Sequence, residues 1–288
     1  MIYYFFIVLS FIIWSSYGIL IKFFNLNPFA LIFYLSLSSL IFIYFYIKLK
    51  KNISLKLKFK TFLLIIIASI LLFGNTITYF YALKFTSITN TILSHYAAPV
   101  IAALFIPFFL NEKIEKITIV ALIISFLGIL LIFFPEGNLI SGKNDIIGIS
   151  FGLASAFCYA FLIIIAKYLL SEIDSLFLMF YENLISIGII IIFLPILKYK
   201  LIVTKSILLL YLVMGIIHNF IAPLLYLEGL KKIKAQHAAI LGYIEPVSAI
   251  CMEIVFLKFL PKIGTLIGGI LIILSGVMII NWNKNILK

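Results

Sequence analysis

The chain has 288 residues, of which 65% are hydrophobic and only 11% are charged, and its mean hydropathy is +1.28. A soluble globular domain is about half apolar and a quarter charged. This composition therefore excludes a soluble fold and predicts an integral membrane protein, because only a bilayer can act as solvent for so much apolar surface. The net charge of +12 comes from lysine, and the chain contains no arginine. Because arginine is the usual bidentate partner of phosphates and bases, we expect no nucleic-acid partner and interpret the lysines as loop residues near anionic lipid.

Ten apolar segments follow one another along the chain. Each is close to the roughly 20 residues that an α-helix needs to cross the hydrocarbon core. The first has no basic start and no small-residue cleavage site, so it is interpreted as a retained helix. Asn27 and Pro28 are predicted as the N-cap and first residue of the second helix. The predicted spans are residues 2–21, 28–47, 61–83, 87–110, 117–134, 147–170, 175–197, 206–229, 235–257 and 263–281.

The distribution of lysines favours cytoplasmic chain ends. With the N-terminus inside, the inner loops and helix ends carry 14 lysines and the outer ones carry 8. Lys198, Lys200 and Lys205 fall on the outer side, against the trend. The bias predicts a multi-pass protein of a bacterial cytoplasmic membrane, with both termini in the cytoplasm.

The two halves of the sequence repeat one another. "YFYALKFTSITNTILSHYAAPVIA" from Tyr79 and "YLEGLKKIKAQHAAILGYIEPVSA" from Tyr226 match at seven of 24 positions with a constant shift of 147. Five segments per copy is an odd number, so the second copy must enter the membrane inverted, an architecture of many secondary transporters. We therefore predict an all-α integral membrane protein with ten transmembrane helices as a 5+5 inverted-topology repeat, in two units, 1–138 and 146–288. Pro99 and Pro246 are predicted to break the two matching helices.

These same segments carry a family resemblance. "YALKFTSITNTILSHYAAPVIAALFIPFFLNEK", "YLEGLKKIKAQHAAILGYIEPVSAI" and the lysines that end the first helix of each half, Lys22 and Lys167, resemble the EamA-type ten-helix members of the drug/metabolite transporter superfamily. The resemblance implies a carrier of small organic solutes that works by alternating access. It also implies a central cavity lined chiefly by the third, fourth, eighth and ninth helices. The sequence departs from the family pattern after the ninth helix, where "LKFLPK" has no counterpart of Glu112.

Ionisable and polar residues at membrane depth are the first candidates for the site, because burying them in lipid costs a few kcal/mol. Glu245 adjoins Pro246, and Ser87, Thr91 and His95 recur at four-residue spacing as one polar stripe. A stripe of this kind lines a cavity or bonds to a neighbouring helix. The predicted substrate-binding residues are Trp14, Tyr17, Tyr79, His95, Tyr96, His218, Asn219, Tyr226, Tyr243 and Glu245, and Glu182 and Glu245 are the candidates for proton coupling. His237 is interpreted as either part of a solvated helix start or a site residue, and Glu228 as a solvated residue near a membrane surface. Glu253 is interpreted as either an interior helix contact or a residue of the lower cavity.

The sequence favours transport over catalysis. It contains none of the HExxH, GxxxxGK[ST] or GxGxxG motifs, so we expect no enzyme activity, no catalytic residues, no cofactor, no metal site and no ATP-driven step. We predict a gradient-driven carrier of a small metabolite such as an amino acid, with a proton or another ion as the coupling partner. A membrane enzyme acting on lipid-linked substrates, a sensor or scaffold, and nucleotide-sugar or drug efflux stay open, as do a monomer and a homodimer.

Overall fold

A computed structural model of the chain describes residues 1–24, 26, 28–49, 58–133, 143–197, 201, 203–258 and 261–286. These residues form α-helices and one π-helical turn, and no strand occurs among them. The helices are α1 (Ile2–Phe24), α2 (Pro28–Leu49), α3 (Phe59–Phe85), α4 (Ile88–His95), α5 (Ala98–Leu110), α6 (Lys116–Phe133), α7 (Lys143–Leu169), α8 (Ser175–Leu197), α9 (Lys205–Ile216), α10 (Ala222–Lys232), α11 (Ala235–Leu241), α12 (Ile244–Leu257) and α13 (Ile263–Ile286).

The helices make up ten segments, because three segments are each built from two helices. These composite segments are α4 with α5, α9 with α10, and α11 with α12. Within the described residues, eight helical stretches are long and apolar enough to cross a membrane, and Ile2–Tyr17 and Lys116–Ile132 are shorter apolar helices. The prediction of an all-α membrane protein is confirmed. Asn27, the predicted N-cap of α2, lies outside the described residues.

The two matching helices are interrupted before their prolines and not at them. α4 ends at His95 and α5 begins at Ala98, so that Pro99 is already the second residue of the new helix. In the second half, α11 ends at Leu241 and α12 begins at Ile244, ahead of Pro246. A proline ring clashes with the carbonyl four residues earlier, which places the disruption one turn upstream of the ring.

Tight i→i+3 hydrogen bonds satisfy much of the backbone at both interruptions. Ala97 N donates to Ser94 O at 3.3 Å, and Tyr243 N donates to Ile240 O at 3.1 Å. Glu245 N donates to Gly242 O, also at 3.1 Å, which gives the carbonyl opposite Pro246 a partner. Backbone groups at both interruptions are therefore paired in part within the turns themselves.

A third interruption lies in the eighth segment, where the sequence predicts a plain helix. Residues Ile217–Ile221 form a π-helical turn between α9 and α10. Pro223 follows this turn and cannot donate to the Asn219 carbonyl one turn earlier. That carbonyl instead accepts a hydrogen bond from Ser39 Oγ on α2 at 2.7 Å. Single π-helical turns of this kind are frequent at functional sites.

The two halves are interleaved and do not form two separate bodies. α7, the first helix of the second half, packs on α3, α4 and α5 of the first half. In the reciprocal arrangement, α1 packs on α10, α11 and α12, while α2 packs on α8 and α6 packs on α13. Each first helix therefore belongs by contact to the opposite half of the sequence.

The α6–α13 contact depends on two glycines that face each other. A Cβ atom added at Gly128 would lie 2.7 Å from the Gly268 carbonyl oxygen, and one added at Gly268 would overlap the Gly128 carbonyl oxygen. Ser125 and Ser275 share a hydrogen bond of 2.5 Å in the same interface. Small residues let membrane helices approach closely enough for van der Waals packing and interhelical hydrogen bonds to hold them together.

We predict that Gly268→Ala lowers the free energy of unfolding by about 1–3 kcal/mol, because the new methyl group meets backbone that cannot rotate away. Thermal or denaturant unfolding of the detergent-solubilised protein measures the change. Gly188→Ala is the matched control, since no heavy atom lies within 4 Å of a Cβ atom added at Gly188. Equal unfolding midpoints for the two variants would contradict this account of the α6–α13 contact.

Candidate functional site

A cavity of about 390 Å³ lies at the centre of the interleaved halves. Its walls come from α1, α2, α3, α4, α7, α8, the π-helical turn, α10 and α12. Its polar lining residues are Ser36, Asn75, Thr76, His95, Glu182, Asn183, Ser186, His218, Asn219 and Glu245, and its aromatic ones are Trp14, Tyr17, Phe73, Phe80, Tyr159 and Tyr226. A concave site that combines apolar walls with a few converging polar groups is typical of a small-molecule site.

The structure brings eight of the sequence-predicted site residues together in this lining: Trp14, Tyr17, Glu182, His95, His218, Asn219, Tyr226 and Glu245. The other predicted residues are not among the lining residues. Tyr79, Tyr96 and Tyr243 lie behind the wall, where they pack against lining residues or one another, and Pro99 and Pro246 are buried in the helices that follow the interruptions.

His95 is held in one orientation by rings and a hydroxyl. Its ring stacks on Tyr159 at 5.6 Å between centroids and meets Tyr79 and Tyr96 edge-on at 5.1 and 5.4 Å. Its Nδ1 lies 2.9 Å from Ser155 Oγ on α7. That hydroxyl in turn donates to Asn75 Oδ1 at 2.7 Å. His95 is thus fixed between α3 and α7 at the end of α4, next to the first interruption.

Of the polar stripe, His95 alone lines the cavity. Ser87 caps α4 by accepting from Asn90 N at 3.1 Å, and Thr91 is buried and donates to Ser87 O at 3.0 Å. The stripe therefore serves mainly the internal hydrogen bonding of α4.

Tyr96 and Tyr243, which occupy equivalent positions in the two repeats, contact each other where the halves meet. Their rings stack with centroids 5.8 Å apart, and Tyr243 OH donates to Tyr96 O at 3.0 Å. Glu245 lies two residues beyond Tyr243, in the first turn of α12, beside the Tyr96 hydroxyl. The second interruption therefore presents a carboxylate to the cavity, whereas the equivalent position in the first half is Ala98.

A second polar group of the cavity surrounds Glu182 on α8. Asn219 Nδ2 donates to Asn183 Oδ1 at 2.7 Å, and Asn183 Nδ2 donates to Met179 O at 2.8 Å. Glu182 itself is half-buried and lines the cavity. Among the residues that the structure describes, none forms a hydrogen bond or an ion pair with its carboxylate.

Trp14 and His218 join α1 to the π-helical turn. Trp14 Nε1 donates to the His218 carbonyl at 3.0 Å, and the Trp14 ring lies 5.5 Å from that of Tyr226. The His218 imidazole is buried, with Nε2 2.7 Å from Ser16 Oγ and the ring 4.5 Å from Tyr17. These contacts explain why His218 and Trp14, far apart in sequence, face the same space.

Sequence reasoning missed several polar residues of the site. Asn75, Asn183 and Tyr159 line the cavity, and Ser155 orients His95. A signal was present, because an asparagine in the middle of a membrane helix is as exceptional as a carboxylate. Glu253, on the same helix as Glu245, is not among the lining residues.

One end of the molecule is closed by charged residues that join the two halves. Lys234 and His237 Nε2, at the start of α11, both bind the Glu115 carboxylate of the first half, His237 at 2.8 Å. His237 Nδ1 also bonds to Tyr4 OH at 2.7 Å. Burial alone would raise the pKa of Glu115, but the hydrogen bonds from Lys234 and His237 outweigh it and hold that pKa below its ordinary value. His237 is fully buried by these contacts, so its interpretation as a solvated residue is wrong.

Glu112 and Gln236 complete this closed end. The Glu112 carboxylate accepts from Ala235 N, the first amide of α11, at 3.0 Å. Gln236 Nε2 donates to Lys113 O at 2.9 Å, and Gln236 Oε1 accepts from Glu115 N at 3.2 Å. Burial raises the pKa of Glu112 above its ordinary value, although the charge of Lys167 and the bond from Ala235 N act in the other direction.

The cavity is better covered towards this closed end than away from it. Four lining residues near the closed end, Ile163, Ala166, Met179 and Leu227, are buried, and four nearer the opposite end, Tyr17, Ile32, Thr76 and Phe80, are half-buried, although Leu31 at that end is buried as well. Glu228, interpreted from sequence as solvated, is half-buried at the closed end and accepts from Ser175 Oγ at 2.7 Å.

Metal ligation finds no support in the part of the chain that the structure describes, where no three His, Cys, Asp or Glu residues form a group able to hold a metal ion. The two cysteines, Cys158 and Cys251, are both free.

A family model and two relatives identify the kind of protein that this chain resembles. The chain matches the EamA-like transporter family over residues 1–134 and 146–282. It is 27% identical over 270 residues to an uncharacterized transporter of Bacillus subtilis, covering 92% of this chain and 85% of that protein. It is 31% identical over 190 residues to an uncharacterized transporter of Clostridium kluyveri, covering 62% of this chain and 58% of that protein.

A crystal structure with 17% sequence identity has the same fold, with a TM-score of 0.84 over 96% of this chain and 97% of the other. The family match covers nearly the whole chain and all three composite segments with their interruptions. The chain is therefore a member of the EamA-like transporter family.

Proposed function

We propose that this protein is a secondary transporter that moves a small organic solute across a bacterial cytoplasmic membrane by alternating access. The observation that carries the proposal is the central cavity of about 390 Å³, which lies between inverted repeats, contains two carboxylates and is covered at one end by contacts between the halves. Inverted-repeat carriers bind their solutes in such positions, next to interrupted helices. Uptake by purified protein in liposomes tests the proposal directly.

The packing suggests which parts move. One bundle would consist of α3, α4, α5 and α7, and the other of α1, α10, α11 and α12. At the closed end these bundles are joined by Glu112 and Glu115 on one side and by residues 234–237 on the other. Opening that end to the cytoplasm requires these bonds to break, because the two partners of each bond belong to different bundles and separate when the bundles move apart. In this proposal the structure represents the state closed towards the cytoplasm.

We predict that Glu115→Gln favours the state open at this end, because Lys234 and His237 lose their charged partner. A reporter cysteine placed by Ala238→Cys on α11, where the native side chain is fully buried, should react about fivefold or more faster with a water-soluble thiol reagent. This corresponds to the loss of about 1 kcal/mol or more of hydrogen bonding to a charged group. The background carries Cys158→Ser and Cys251→Ser.

Glu228→Gln is the control for this experiment, because Glu228 and its partner Ser175 belong to the same half and do not connect the two. Unchanged labelling in Glu115→Gln, or equal acceleration in both variants, would mean that the Glu115 contacts do not hold the closed end.

As in the sequence analysis, we propose that Glu182 or Glu245 carries a coupled proton, since both are ionisable side chains of the cavity. Glu182→Gln and Glu245→Gln keep the size of the side chain and remove its titration. We predict that at least one of them abolishes uptake driven by a pH gradient in proteoliposomes, measured together with proton movement reported by an internal pH-sensitive dye.

Glu253→Gln on α12 is the matched control, because Glu253 is a carboxylate of the same helix as Glu245 outside the cavity lining. The solute for this assay comes from a comparison of metabolites retained by cells with and without the gene. Proton-linked uptake that survives in both cavity variants would refute the assignment of the coupling residues.

A further inference from the structure

The charged side chains that line the cavity are all carboxylates. The lining holds two carboxylates, Glu182 and Glu245, and no lysine among its described residues. The chain has no arginine, and every lysine in the described residues lies outside the helices or within three residues of a helix end. A solute carboxylate would therefore meet negative charge in the cavity without a cationic side chain to neutralise it, which is costly where water is scarce.

Lys167, which directly follows the lining residue Ala166, is already engaged. Its Nζ donates to the carbonyls of Leu230 and Ile233 at 2.7 and 2.6 Å, and to that of Lys231 at 3.3 Å. These are the terminal carbonyls of α10 and of the turn that follows it. An ammonium group has three protons, so Lys167 has none left for a solute.

Three neutral donors of the cavity are engaged, whereas two buried ones, His218 Nδ1 and Tyr226 OH, have no hydrogen-bond partner within the described residues. Trp14 Nε1 is taken by the His218 carbonyl, Asn219 Nδ2 by Asn183, and Asn183 Nδ2 by Met179 O. By contrast, the Glu182 carboxylate has no hydrogen-bonding or ionic partner among the described residues. The feature that distinguishes the cavity is therefore its charge: it presents carboxylates to a solute and no lysine side chain.

His95 adds a further acceptor through its hydrogen bonding. Ser155 Oγ has a single proton and lies 2.7 Å from Asn75 Oδ1 and 3.2 Å from Asn75 O, both acceptors. The proton therefore belongs to that contact, and His95 Nδ1, 2.9 Å from the same oxygen, must be the donor. In a neutral imidazole the other nitrogen, Nε2, is then an acceptor. Within the described residues, no side chain or backbone group donates to it.

Aromatic faces complete the arrangement. Trp14, Tyr17, Tyr159 and Tyr226 all line the same space as the two carboxylates. Faces of aromatic rings attract cations, most strongly where water is excluded, and also cover the apolar part of a ligand. Free tyrosine hydroxyls both donate and accept, so they are compatible with either kind of solute.

We propose that the cavity selects an organic amine: a solute with a protonated amino group on an apolar or aromatic body and without a free carboxylate. The inference rests on the proposed transport function and narrows its solute class. It replaces the expectation of an amino acid, because the same cavity that accommodates an ammonium group has no side chain with which to neutralise the carboxylate. Glu182 is the residue assigned to the ammonium group, with His95 Nε2 and Glu245 as further acceptors.

Three indole compounds test the inference because they share one body and differ only in charge. They are tryptamine (amine only), tryptophan (amine and carboxylate) and 3-indolepropionate (carboxylate only). A second series, phenethylamine, phenylalanine and 3-phenylpropionate, guards against a misfit of the indole ring. Binding is measured by the shift in thermal unfolding of the purified protein, and flux by uptake into proteoliposomes. We expect at least one amine to bind about tenfold or more tightly than the amino acid and the acid of its series.

Glu182→Gln should weaken amine binding about 30-fold or more, the loss typical of removing one partner from a buried charge pair. Glu253→Gln, on α12 outside the lining, should leave binding unchanged. The comparison of the three solutes uses the unmodified protein, so it tests the preference for amines even if Glu182→Gln fails to fold.

The outcomes separate the solute class from the transport function. Uptake of an amino acid or acid with no response to either amine overturns the inference and leaves transport standing. Amine binding without flux supports the inference and counts against transport. Absence of an unfolding shift with either amine, or amine binding that is equal in Glu182→Gln, overturns the inference.

Discussion

A peptide carbonyl that loses its helical partner inside a bilayer must find another donor, because hydrocarbon supplies none and each unpaired group costs several kcal/mol. Three carbonyls at the interruptions meet this requirement with donors from the opposite half of the chain. Ser39 binds the Asn219 carbonyl, Trp14 the His218 carbonyl, and Tyr243 the Tyr96 carbonyl. The interruptions thus tie the repeats together and gather polar side chains around one central space.

This constraint also explains the interleaved packing. A donor from the other half can reach a freed carbonyl only if the helices that carry both groups lie side by side, as α1 does with α10 and the π-helical turn. The same helices then form the wall of the cavity. The same helix contacts therefore pack the two halves, supply partners for the freed carbonyls and form the cavity wall. Trp14 illustrates this, because it donates to a carbonyl of the π-helical turn and also lines the cavity.

The sequence was sufficient for the fold because the signals are strong and repeated: ten apolar segments and a duplicated Tyr-x-x-Pro pattern. It located most charged and aromatic lining residues, since ionisable groups in lipid need a polar environment. Pro99 and Pro246 were predicted to break their helices, and the interruptions lie about one turn before these rings because a proline acts on the carbonyl one turn earlier. The third interruption, at Ile217–Ile221, was not predicted. Asn75 and Asn183 were not predicted because neither is ionisable or aromatic. The bonding of His237 depends on Tyr4 and Glu115, more than 100 residues away in sequence.

The acidic turn at residues 112–115 has a wider consequence. In the proposed transport cycle, a perfect duplication would make the forms closed at either end equal in energy, since a two-fold axis in the membrane plane would interconvert them. In this protein the carboxylates of Glu112 and Glu115 bond to the other half of the chain at one end of the molecule. The corresponding stretch of the second repeat reads "LKFLPK" and has no carboxylate. In the proposed transport cycle the two end states would therefore differ in free energy, because only one of them gains these carboxylate contacts between the halves.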